Sequence, residues 1–481
     1  MIKTHQAPPL VAMRFFKALL FSLFILTLSS AWATSLYVDD DSTALNPDGS
    51  EEYPFPTVND AVARALGDDS VDDIVILPGV YIANIQLIGF PRDLTFRSTY
   101  DPELNSEELI DNTIIEGREG CFKPVITIND CLGRISIWGL TIRNGLGLPI
   151  EDTTNPNRWM RGGGICATSM QNRSQAVSIG WCKIHDNYAC WGGGIYGDHT
   201  SFNIHNSDIF DNALYINTDT LPSGAHTDFD GPKGGGIYIA GGWSSISKCR
   251  IYGNQTYLDE GHVLYNPLCY GNAAALFWRF ICSIEDQGLI MTECEVYDNI
   301  TRTRDDQMDD CWWPFRATVC VQRANDDPPA QVPGEVGYHY IELDRCTISN
   351  NKIISQSAGN ADPYINTAVG ILRLFAETYI SRSIKNNIIY NNTSGPNIFD
   401  QSTIHVRQLY GGHHTTQGAF IRVVVPISYC CVNDAHNTDF YIDEGNGCID
   451  LDPLFVNHEE SNYNLRWDTV AVSPCIDRGN P

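Results

Sequence analysis

A short alternation of apolar and polar positions recurs along most of this chain. Cys182, Cys249 and Cys346 each begin the frame Cys-x-Ile-x-x-Asn, and Cys294 begins a copy with Val in place of Ile. Strand side chains alternate between two faces, so the first and third positions of the frame share one face. The asparagine fits a turn, where a short amide tolerates a left-handed backbone and bonds locally. The frame therefore predicts a strand that runs into a turn.

The frame repeats at intervals of tens of residues, which predicts stacked coils, because one coil cannot bury its own apolar face. The first positions of all copies are predicted to form one column: Leu140, Cys182, Ser207, Cys249, Cys294, Cys346 and Asn387. The asparagines are predicted to form an adjoining ladder whose amides bond along the axis. Its members are Asn187, Asn212, Asn254, Asn299, Asn351 and Asn392.

A second repeated element contains a glycine triplet followed by Ile or Ile-Tyr. The triplets are 162–164, 192–194 and 234–236. Phosphate-binding loops also contain such glycines, but they require a following helix and usually a lysine, and neither is present. The triplets therefore indicate tight turns and close contact between coils.

One helix is predicted near the beginning of the chain. Thr57 has the character of an N-cap, and apolar residues between 58 and 66 fall on one helical face. Short strands follow too densely for crossover helices: 74–77, 85–88, 94–97, 113–115, 125–128 and 135–137. We therefore predict an all-β, single-stranded, right-handed parallel β-helix solenoid, with a helix at 57–66 that covers its open N-terminal end.

Composition limits the partners of this chain. The 481 residues carry a formal net charge of -27 at pH 7, which argues against nucleic acid and against anionic membrane surfaces. Calcium is a candidate ligand for so acidic a chain, although no EF-hand or glycine-aspartate calcium repeat is present. The other interpretation of the charge is solubility.

The N-terminus predicts export. A short basic region around Lys17 precedes an apolar run, and Ala31-Trp32-Ala33 supplies a cleavage site. We expect a signal peptide over 1–33, with Met13 as an alternative start, an N-terminal cap over 34–72 and the β-helix over 73–481. No later segment is apolar enough for a transmembrane helix, so the mature chain is expected outside the cell or on its surface. We also expect the C-terminus to lack a cap over the last coil, either through truncation or through reliance on a further segment.

Sixteen cysteines in an exported chain raise the question of disulfides. Those that begin the repeated frame are interpreted as buried thiols that act as small apolar residues. Three other pairs bracket loops and are better candidates for disulfides: Cys121/Cys131, Cys311/Cys320 and Cys448/Cys475.

Several segments together resemble the right-handed parallel β-helix proteins of pectate-lyase-like fold. The opening 37–61 and Leu77-Pro-Gly-Val-Tyr81 resemble the N-terminal cap and first coil of that group. The glycine triplets and Ile-x-x-Asn frames are similar to those of polymorphic outer-membrane and autotransporter passenger domains. The segment 452–479 resembles the end of many exported bacterial β-helix proteins. The resemblance implies fold and export, while the group includes lyases, hydrolases, epimerases and non-catalytic surface proteins.

Catalytic signals are weak. A lyase of this fold needs carboxylates that hold calcium and a basic residue on one strand face, and a hydrolase needs acids that flank the scissile bond. The predicted strands mostly lack paired acids. Asp198-His199 is interpreted as structural, and His413 and His414 point to opposite strand faces.

Two functions stay open. The first is a non-catalytic exported or cell-surface scaffold that contacts polysaccharides or cell-surface glycans through lateral loops. The alternative is a calcium-dependent polysaccharide lyase or related carbohydrate-active enzyme.

The long insertions mostly follow the asparagine turn, so they are predicted to form a wall along one flank. Two of them carry aromatic and acidic residues suited to glycans, or to calcium. Their candidate ligand-binding residues are Trp312, Trp313, Asp305, Asp306, Asp309, Asp310, Arg316, His226, Asp228 and Asp230. The other interpretation is that both tryptophans pack the loop onto the solenoid.

Overall fold

The structure is a computed structural model of the chain. It describes residues 34–104, 106–149, 160–168, 176–214, 233–256, 273–280, 286–303, 315–323, 339–355, 365–373, 380–394, 407–414, 420–422, 427–432, 447–467 and 472–476.

Three long sheets run the length of the solenoid, and each coil contributes one strand to each sheet in the order sheet 2, sheet 1, sheet 3. Sheet 1 contains Thr34–Val38, Val71–Ile76, Leu94–Arg97, Ile135–Trp138, Ala176–Gly180, Ser201–His205, Trp243–Ser247, Gln287–Thr292, His339–Asp344, Ile380–Lys385 and Ile427–Ser428. Sheet 2 contains Ile85–Ile88, Ile126–Asn129, Ile165–Thr168, Ile195–Asp198, Ile237–Ala240, Leu276–Phe280, Phe315–Arg323, Ile365–Arg373, Arg407–His414 and Phe420–Arg422. Sheet 3 contains Gly79–Ile82, Thr113–Glu116, Thr141–Arg143, Lys183–His185, Asp208–Phe210, Arg250–Tyr252, Glu295–Tyr297, Thr347–Ser349, Ile388–Tyr390 and Cys431–Val432.

Shorter strands complete the coils. Tyr188–Ala189 pairs with Ala213–Leu214, and Lys352–Ser355 lies between Ile300–Thr303 and Thr393–Ser394. Two antiparallel pairs join Leu148–Pro149 to Met160–Arg161 and Phe455–Asn457 to Asn462–Leu465.

The strands of neighbouring coils pair in parallel throughout the described parts of sheets 1 and 3. In sheet 2 the terminal strand Phe420–Arg422 runs antiparallel to Arg407–His414. Aliphatic residues of all three sheets point inward and form one continuous core. The predicted all-β parallel β-helix with an N-terminal helix is therefore confirmed.

Helix α1, Val58–Gly67, covers the first coils with the apolar face that contains Val58, Ala61, Val62 and Ala65. Thr57 caps its N-terminus, because the Thr57 hydroxyl accepts a hydrogen bond from the Asp60 amide at 3.2 Å. At the other end the Arg92 guanidinium donates to the carbonyl oxygens of Ala65 and Asp68. Both ends of the helix thus have partners for backbone groups that a helix leaves unpaired. A second helix, α2, spans Glu108–Asn112.

The first residues of the repeated frame lie in one buried column, which continues beyond the predicted members to Cys430. Strand register places successive frames directly over one another: Ile142 pairs with Ile184, and Ile184 with Ile209. The thiols in this column bond to backbone carbonyl oxygens; Cys294 Sγ lies 3.3 Å from the oxygen of Thr292. They serve as small buried side chains, as the sequence suggests.

The asparagines form a hydrogen-bonded ladder beside this column. From Asn212 onward, each Oδ1 accepts from the backbone amide and the Nδ2 of the asparagine one coil before. Asn212 donates to Asn254 Oδ1 at 3.1 and 3.0 Å, and Asn254 donates to Asn299 Oδ1 at 3.0 Å from both groups. The ladder runs in this way from Asn187 to Asn392.

The left-handed turn residue is not the ladder asparagine, which corrects the interpretation of the frame. The residue immediately before it has positive φ, for example Asp186 at 52° and Asp298 at 54°. The asparagine itself points inward and is buried. Its amide bonds to neighbouring coils and also closes the local turn, since Asn187 Nδ2 donates to the His185 oxygen at 2.9 Å and Asn212 Nδ2 to the Phe210 oxygen at 2.9 Å.

The glycine triplets exist because the ladder passes next to them. A Cβ on Gly194 would lie 2.7 Å from the Gly236 oxygen and 3.0 Å from Asn212 Nδ2. The first glycine of each triplet has positive φ, 63° at Gly192. The glycine triplets and the ladder asparagines therefore pack against each other where the coils meet.

The strands Phe455–Asn457 and Asn462–Leu465 bring the C-terminal part of the chain back against the outer side of sheet 3. The Tyr463 ring lies 5.0 Å from the Tyr297 ring, and Ser461 Oγ donates to Asp298 Oδ2 at 2.5 Å. The expectation of a missing C-terminal cap stays a prediction, as does the signal peptide, because 1–33 lie outside the described residues. Within the described chain, no helix has the length and apolar character needed to span a membrane.

Candidate functional site

The binding residues predicted in the lateral loops lie almost entirely outside the described residues. This holds for Trp312, Trp313, Asp305, Asp306, Asp309, Asp310, His226, Asp228 and Asp230. Arg316 lies in the strand Phe315–Arg323, of which only the backbone is described at this position. The loop site therefore stays a prediction.

The other candidates do not assemble a catalytic centre in the described part of the chain. Asp198 Oδ1 and His199 Nδ1 lie 2.9 Å apart at the end of a sheet 2 strand, where both side chains are partly exposed. No group of three or more His, Cys, Asp or Glu residues with a geometry that could hold a metal ion occurs among the described residues. His413 and His414 lie in the strand Arg407–His414, of which only the backbone is described.

The outer face of sheet 1 carries a group of rings that sequence analysis did not single out. We define the aromatic cluster as Trp138, Trp181 and His205. The Trp138 and Trp181 ring centroids lie 4.3 Å apart, and His205 lies 4.9 Å from Trp181 and 5.4 Å from Trp138. All three rings are partly exposed. Tyr100 lies behind Trp181 at 6.4 Å.

Glycine at position 180 allows these rings to meet. Strand register aligns Trp138 with Gly180, and Gly180 with His205, so the rings come from coils on either side of the glycine. A Cβ at Gly180 would lie 2.6 Å from His205 Cε1 and 2.9 Å from Trp138 Cε3. Any side chain at this position would push the two rings apart. The missing side chain therefore shapes the cluster.

Trp181 reaches the cluster from the turn between sheets 1 and 3. Its φ is 50°, a left-handed conformation that a bulky residue rarely adopts and that costs roughly 1–2 kcal/mol. The neighbouring coils have Gly139 and Asn206 at the equivalent position, with φ of 65° and 48°, and later coils have Lys248, Glu293, Arg345 and Tyr429 there, also with positive φ. The turn therefore accepts bulky residues, and at this position the Trp181 ring comes next to Trp138 and His205.

His205 is held in its neutral form. Burial lowers the pKa of the His205 imidazole, because a charged ring would lose hydration beside the two indoles. The side-chain amide nitrogen of Asn206 lies 3.1 Å from His205 Nδ1. An amide NH₂ only donates, so Nδ1 accepts and the ring proton lies on Nε2. The cluster therefore presents an uncharged surface at neutral pH.

A row of uncharged polar side chains runs along the same face. Register aligns Thr95, Ser136, Ser178, Asn203 and Ser245 on consecutive coils. All five point outward, and Asn203 is the most exposed of them. The row offers hydroxyl and amide groups to a ligand and no charge.

A second pair of rings lies on this face near the beginning of the strands. Trp243 and Tyr340 are 6.0 Å apart and nearly parallel, at 4°, and Trp243 is 40% exposed. Here again a glycine makes room, since a Cβ on Gly288 would lie 2.9 Å from the Trp243 ring. Trp243 aligns with Ser201, four residues before His205, so the two groups of rings lie about 13 Å apart along the strand direction.

Both groups could be found in the sequence only by aligning coils position by position. Trp181 directly precedes the first residue of a frame, and Gly139 and Asn206 precede others. That alignment places Trp181 at a turn position that holds Gly, Asn, Lys, Glu, Arg or Tyr in other coils. It does not show that Trp138 and His205 converge on it across a glycine.

Comparisons with known proteins leave the activity open. No protein-family model and no curated protein matches the chain. Among solved structures, pectin methylesterase PemA from Erwinia chrysanthemi is similar at 14% identity over 80% of this chain and 84% of that one, with a TM-score of 0.27. A pectin methylesterase mutant in complex with a hexasaccharide has 14% identity over 87% and 98% of the two chains, with a TM-score of 0.28. The deglycosylated enzyme from Aspergillus niger has 12% identity over 76% and 93%, with a TM-score of 0.23. Similarity of this degree assigns no activity to the chain.

Proposed function

We propose that this chain is an exported or cell-surface β-helix scaffold without catalytic activity, and that it binds polysaccharide on the outer face of sheet 1. The observation that carries the proposal is the aromatic cluster beside a row of uncharged polar side chains. Partly exposed rings next to hydrogen-bonding groups are a combination that suits sugars: pyranose rings present apolar C–H faces, and their hydroxyls need polar partners.

The length of the face favours a chain over a single sugar. Trp243 and Tyr340 lie about 13 Å from the aromatic cluster along the strand direction, and the polar row passes between them. A polymer can contact both groups of rings at once, which strengthens binding without requiring a deep pocket. A monosaccharide would contact only one of them.

The charge distribution favours a neutral polysaccharide. The polar row from Thr95 to Ser245 has no ionised side chain, and His205 is kept neutral by its lowered pKa. The whole chain is strongly acidic, at -27, so a polyuronate would be repelled at long range. We therefore expect neutral chains to bind better than galacturonan.

The lateral loops have a second part in this proposal. Trp312, Trp313 and the acids at 305–310 would add contacts at the edge of the bound chain, together with His226, Asp228 and Asp230. Export through the segment 1–33 would bring the scaffold to its ligand.

The test uses the full chain from residue 34 and a panel of soluble polysaccharides: xylan, glucomannan, a mixed-linkage β-glucan and polygalacturonate. Affinity electrophoresis or calorimetry measures the dissociation constants. Trp138→Ser and Trp181→Asn remove the rings but keep residue types that other coils carry at the same positions, Ser247 and Asn206. We expect each variant to weaken binding of a neutral glycan about tenfold.

Trp467→Ala is the matched control, because this indole is 68% exposed and lies outside sheet 1. It should leave the dissociation constant unchanged. Binding to no member of the panel, or equal binding by all variants, would contradict the proposal. Calcium-dependent release of unsaturated ends from polygalacturonate, abolished by a chelator, would establish the lyase alternative instead.

A further inference from the structure

Four cysteines meet where the C-terminal part of the chain returns to the last coil: Cys430, Cys431, Cys448 and Cys475. Cys430 and Cys431 are consecutive, so their side chains point to opposite faces of the wall. Cys430 belongs to the buried core column, while Cys431 faces the outer side. The four thiols are therefore divided into an inner and an outer group.

Strand register brings Cys448 to Cys430. Cys431 pairs with Ile449 in parallel, which places Cys448 directly over Cys430 in the next coil. Main-chain bonds fix this register: the Ile449 amide donates to the Cys430 oxygen at 2.9 Å, and the Val432 amide to the Ile449 oxygen at 3.0 Å. Neighbouring strands lie about 4.8 Å apart, within the Cα spacing that disulfides adopt. The two thiols are in hydrogen-bonding contact, as Cys294 is with Cys249 and Cys346 in the same column.

Cys475 meets Cys431 on the outer side. The two thiols are in hydrogen-bonding contact, and Cys431 Sγ also lies 3.1 Å from the Leu451 oxygen. Both residues line a small cleft of about 160 Å³. The structure has all four as free thiols, as it has Cys121 and Cys131, and Cys311 lies outside the described residues. Cys448 and Cys475 have different neighbours, so these contacts do not support the sequence-based pairing of the two.

We propose that the protein forms two disulfides in an oxidising environment, Cys430–Cys448 inside the solenoid wall and Cys431–Cys475 outside it. Together they fasten the C-terminal segment to both faces of the last coil. A shared metal site is a poor alternative, because the four sulfurs lie on two sides of the wall and no described cluster has metal-binding geometry.

The chemistry is thiol–disulfide exchange with a small disulfide such as oxidised glutathione. Contact with Cys431 lowers the pKa of the Cys475 thiol, so Cys475 acts as the attacking thiolate. It attacks one sulfur of the small disulfide and releases one thiol. The Cys431 sulfur then displaces the second thiol. The pair is oxidised by two electrons, and the small disulfide is reduced to two thiols that take up both protons. The inner pair has the same stoichiometry.

The outer disulfide would fix a segment that already contacts sheet 3. Tyr463 and Ser461 lie between the two cysteines in the sequence. Tyr463 packs on Tyr297 and Ser461 bonds to Asp298, on a coil nearer the N-terminal end of the solenoid than the coil of Cys431. Closing the loop from 431 to 475 lowers the entropy of the unfolded chain. Reduction should therefore loosen this segment first.

The experiment uses the full chain, equilibrated with oxidised and reduced glutathione. The chain is then unfolded in denaturant that contains iodoacetamide, which alkylates the free thiols. A protease that cleaves before aspartate separates Cys448, Cys475 and the peptide that holds both Cys430 and Cys431, because aspartates lie at 434, 443, 450 and 468. We expect one cross-linked species of three peptides that lacks four hydrogens. Cys182, which bonds to the carbonyl oxygens of Gly180 and Ile137, should be alkylated in every sample.

Two variants assign the pairs. Cys430→Ser keeps a residue that already occupies the column at Ser207, and it should free Cys448 while Cys475 stays cross-linked. Cys431→Ser should free Cys475 and leave Cys448 cross-linked. A cross-link between Cys448 and Cys475, or alkylation of all four thiols in the oxidised wild type, would overturn the proposal. As a second readout, a reductant should lower the thermal midpoint of the wild type more than that of Cys431→Ser.

Discussion

Two sets of rings on the outside of this solenoid are built in different ways. On sheet 3, His185, Phe210, Tyr252 and Tyr297 form an aromatic stack, with one ring per coil and centroid distances of 4.6, 4.9 and 5.0 Å. The planes of the last three rings lie within 1° of parallel. On sheet 1, the rings of the aromatic cluster meet at angles from 43° to 87°, and one of them comes from a turn.

The difference separates a structural role from a binding role. A stack that follows the coil spacing results from repetition itself, and each ring buries the next. The residue aligned with Tyr297 on the next coil is Ser349, which has no ring. The Tyr463 ring from the C-terminal segment packs on Tyr297 instead, at 5.0 Å. The aromatic cluster departs from the repeat instead: its rings meet at steep angles across a glycine gap. Because repetition alone does not produce this arrangement, we attribute it to binding.

The asparagine ladder is the inner counterpart of the stack, and breaking it should have the largest effect. Asn254→Ala removes an Oδ1 that accepts two hydrogen bonds and an Nδ2 that donates to the Ile209 oxygen at 2.9 Å. Their buried partners stay unpaired, so we expect a loss of about 4 kcal/mol in the free energy of unfolding. Urea unfolding followed by circular dichroism measures it.

Asn203→Ala is the matched control, because this asparagine lies on sheet 1 and is exposed. Its unfolding free energy should change by less than about 0.5 kcal/mol. Equal losses in the two variants would show that the ladder is not what holds the coils together.

Breaking the aromatic stack should also affect stability and leave binding intact. Tyr252→Ala removes contacts with the rings of Phe210 and Tyr297, at 4.9 and 5.0 Å. Because Tyr252 is only partly buried, we expect a loss of about 2 kcal/mol. Glycan affinity, measured by calorimetry at a temperature where the variant is folded, should equal that of the wild type. A loss of affinity would remove the distinction between stack and cluster.

The repeated parts of the fold could be predicted because one residue type answers one need on every coil. The strands 85–88 and 94–97 have the predicted bounds, and helix α1 begins directly after the predicted cap Thr57. The frame placed Cys182 and Ile184 inward correctly. It misplaced the left-handed turn by one residue, because Asp or Asn occupies both positions in most copies and the two roles look alike.

The irregular parts could not be predicted, because they depend on which side chains meet between coils. The contact of Trp138 with His205 requires both the register and the missing side chain of Gly180. Tyr463 packs on a residue 166 positions away by the sequence numbers, Tyr297. Neither contact follows from local periodicity.

Filling the glycine gap should weaken binding with little effect on folding. In Gly180→Ala the added Cβ meets the His205 and Trp138 rings, which can rotate away, and not backbone. We expect the stability to change by less than about 1 kcal/mol and the glycan dissociation constant to rise several-fold, because the rings no longer form one surface. Both quantities can be measured on the same preparation.

Gly67→Ala, at the end of helix α1, is the control, because a Cβ there meets no atom within 4 Å. It should leave affinity unchanged. Unchanged affinity in Gly180→Ala as well would mean that the glycine does not shape the binding surface.

The smallest expected effect is on the pH dependence of stability, through the His205 ring of the aromatic cluster. Burial lowers the pKa of His205 in the folded state below the ordinary histidine value of 6.5. As pH falls below 6.5, the unfolded chain therefore binds a proton before the folded chain does, and folding loses stability until the folded-state pKa is passed. His205→Gln removes this titration and keeps a polar side chain of similar length. Urea midpoints of the two proteins, compared between pH 7.5 and pH 5, should diverge, with the wild type losing more stability at low pH. Because all other groups titrate in both proteins, the difference isolates His205, and parallel curves would mean that the indoles do not restrict its hydration.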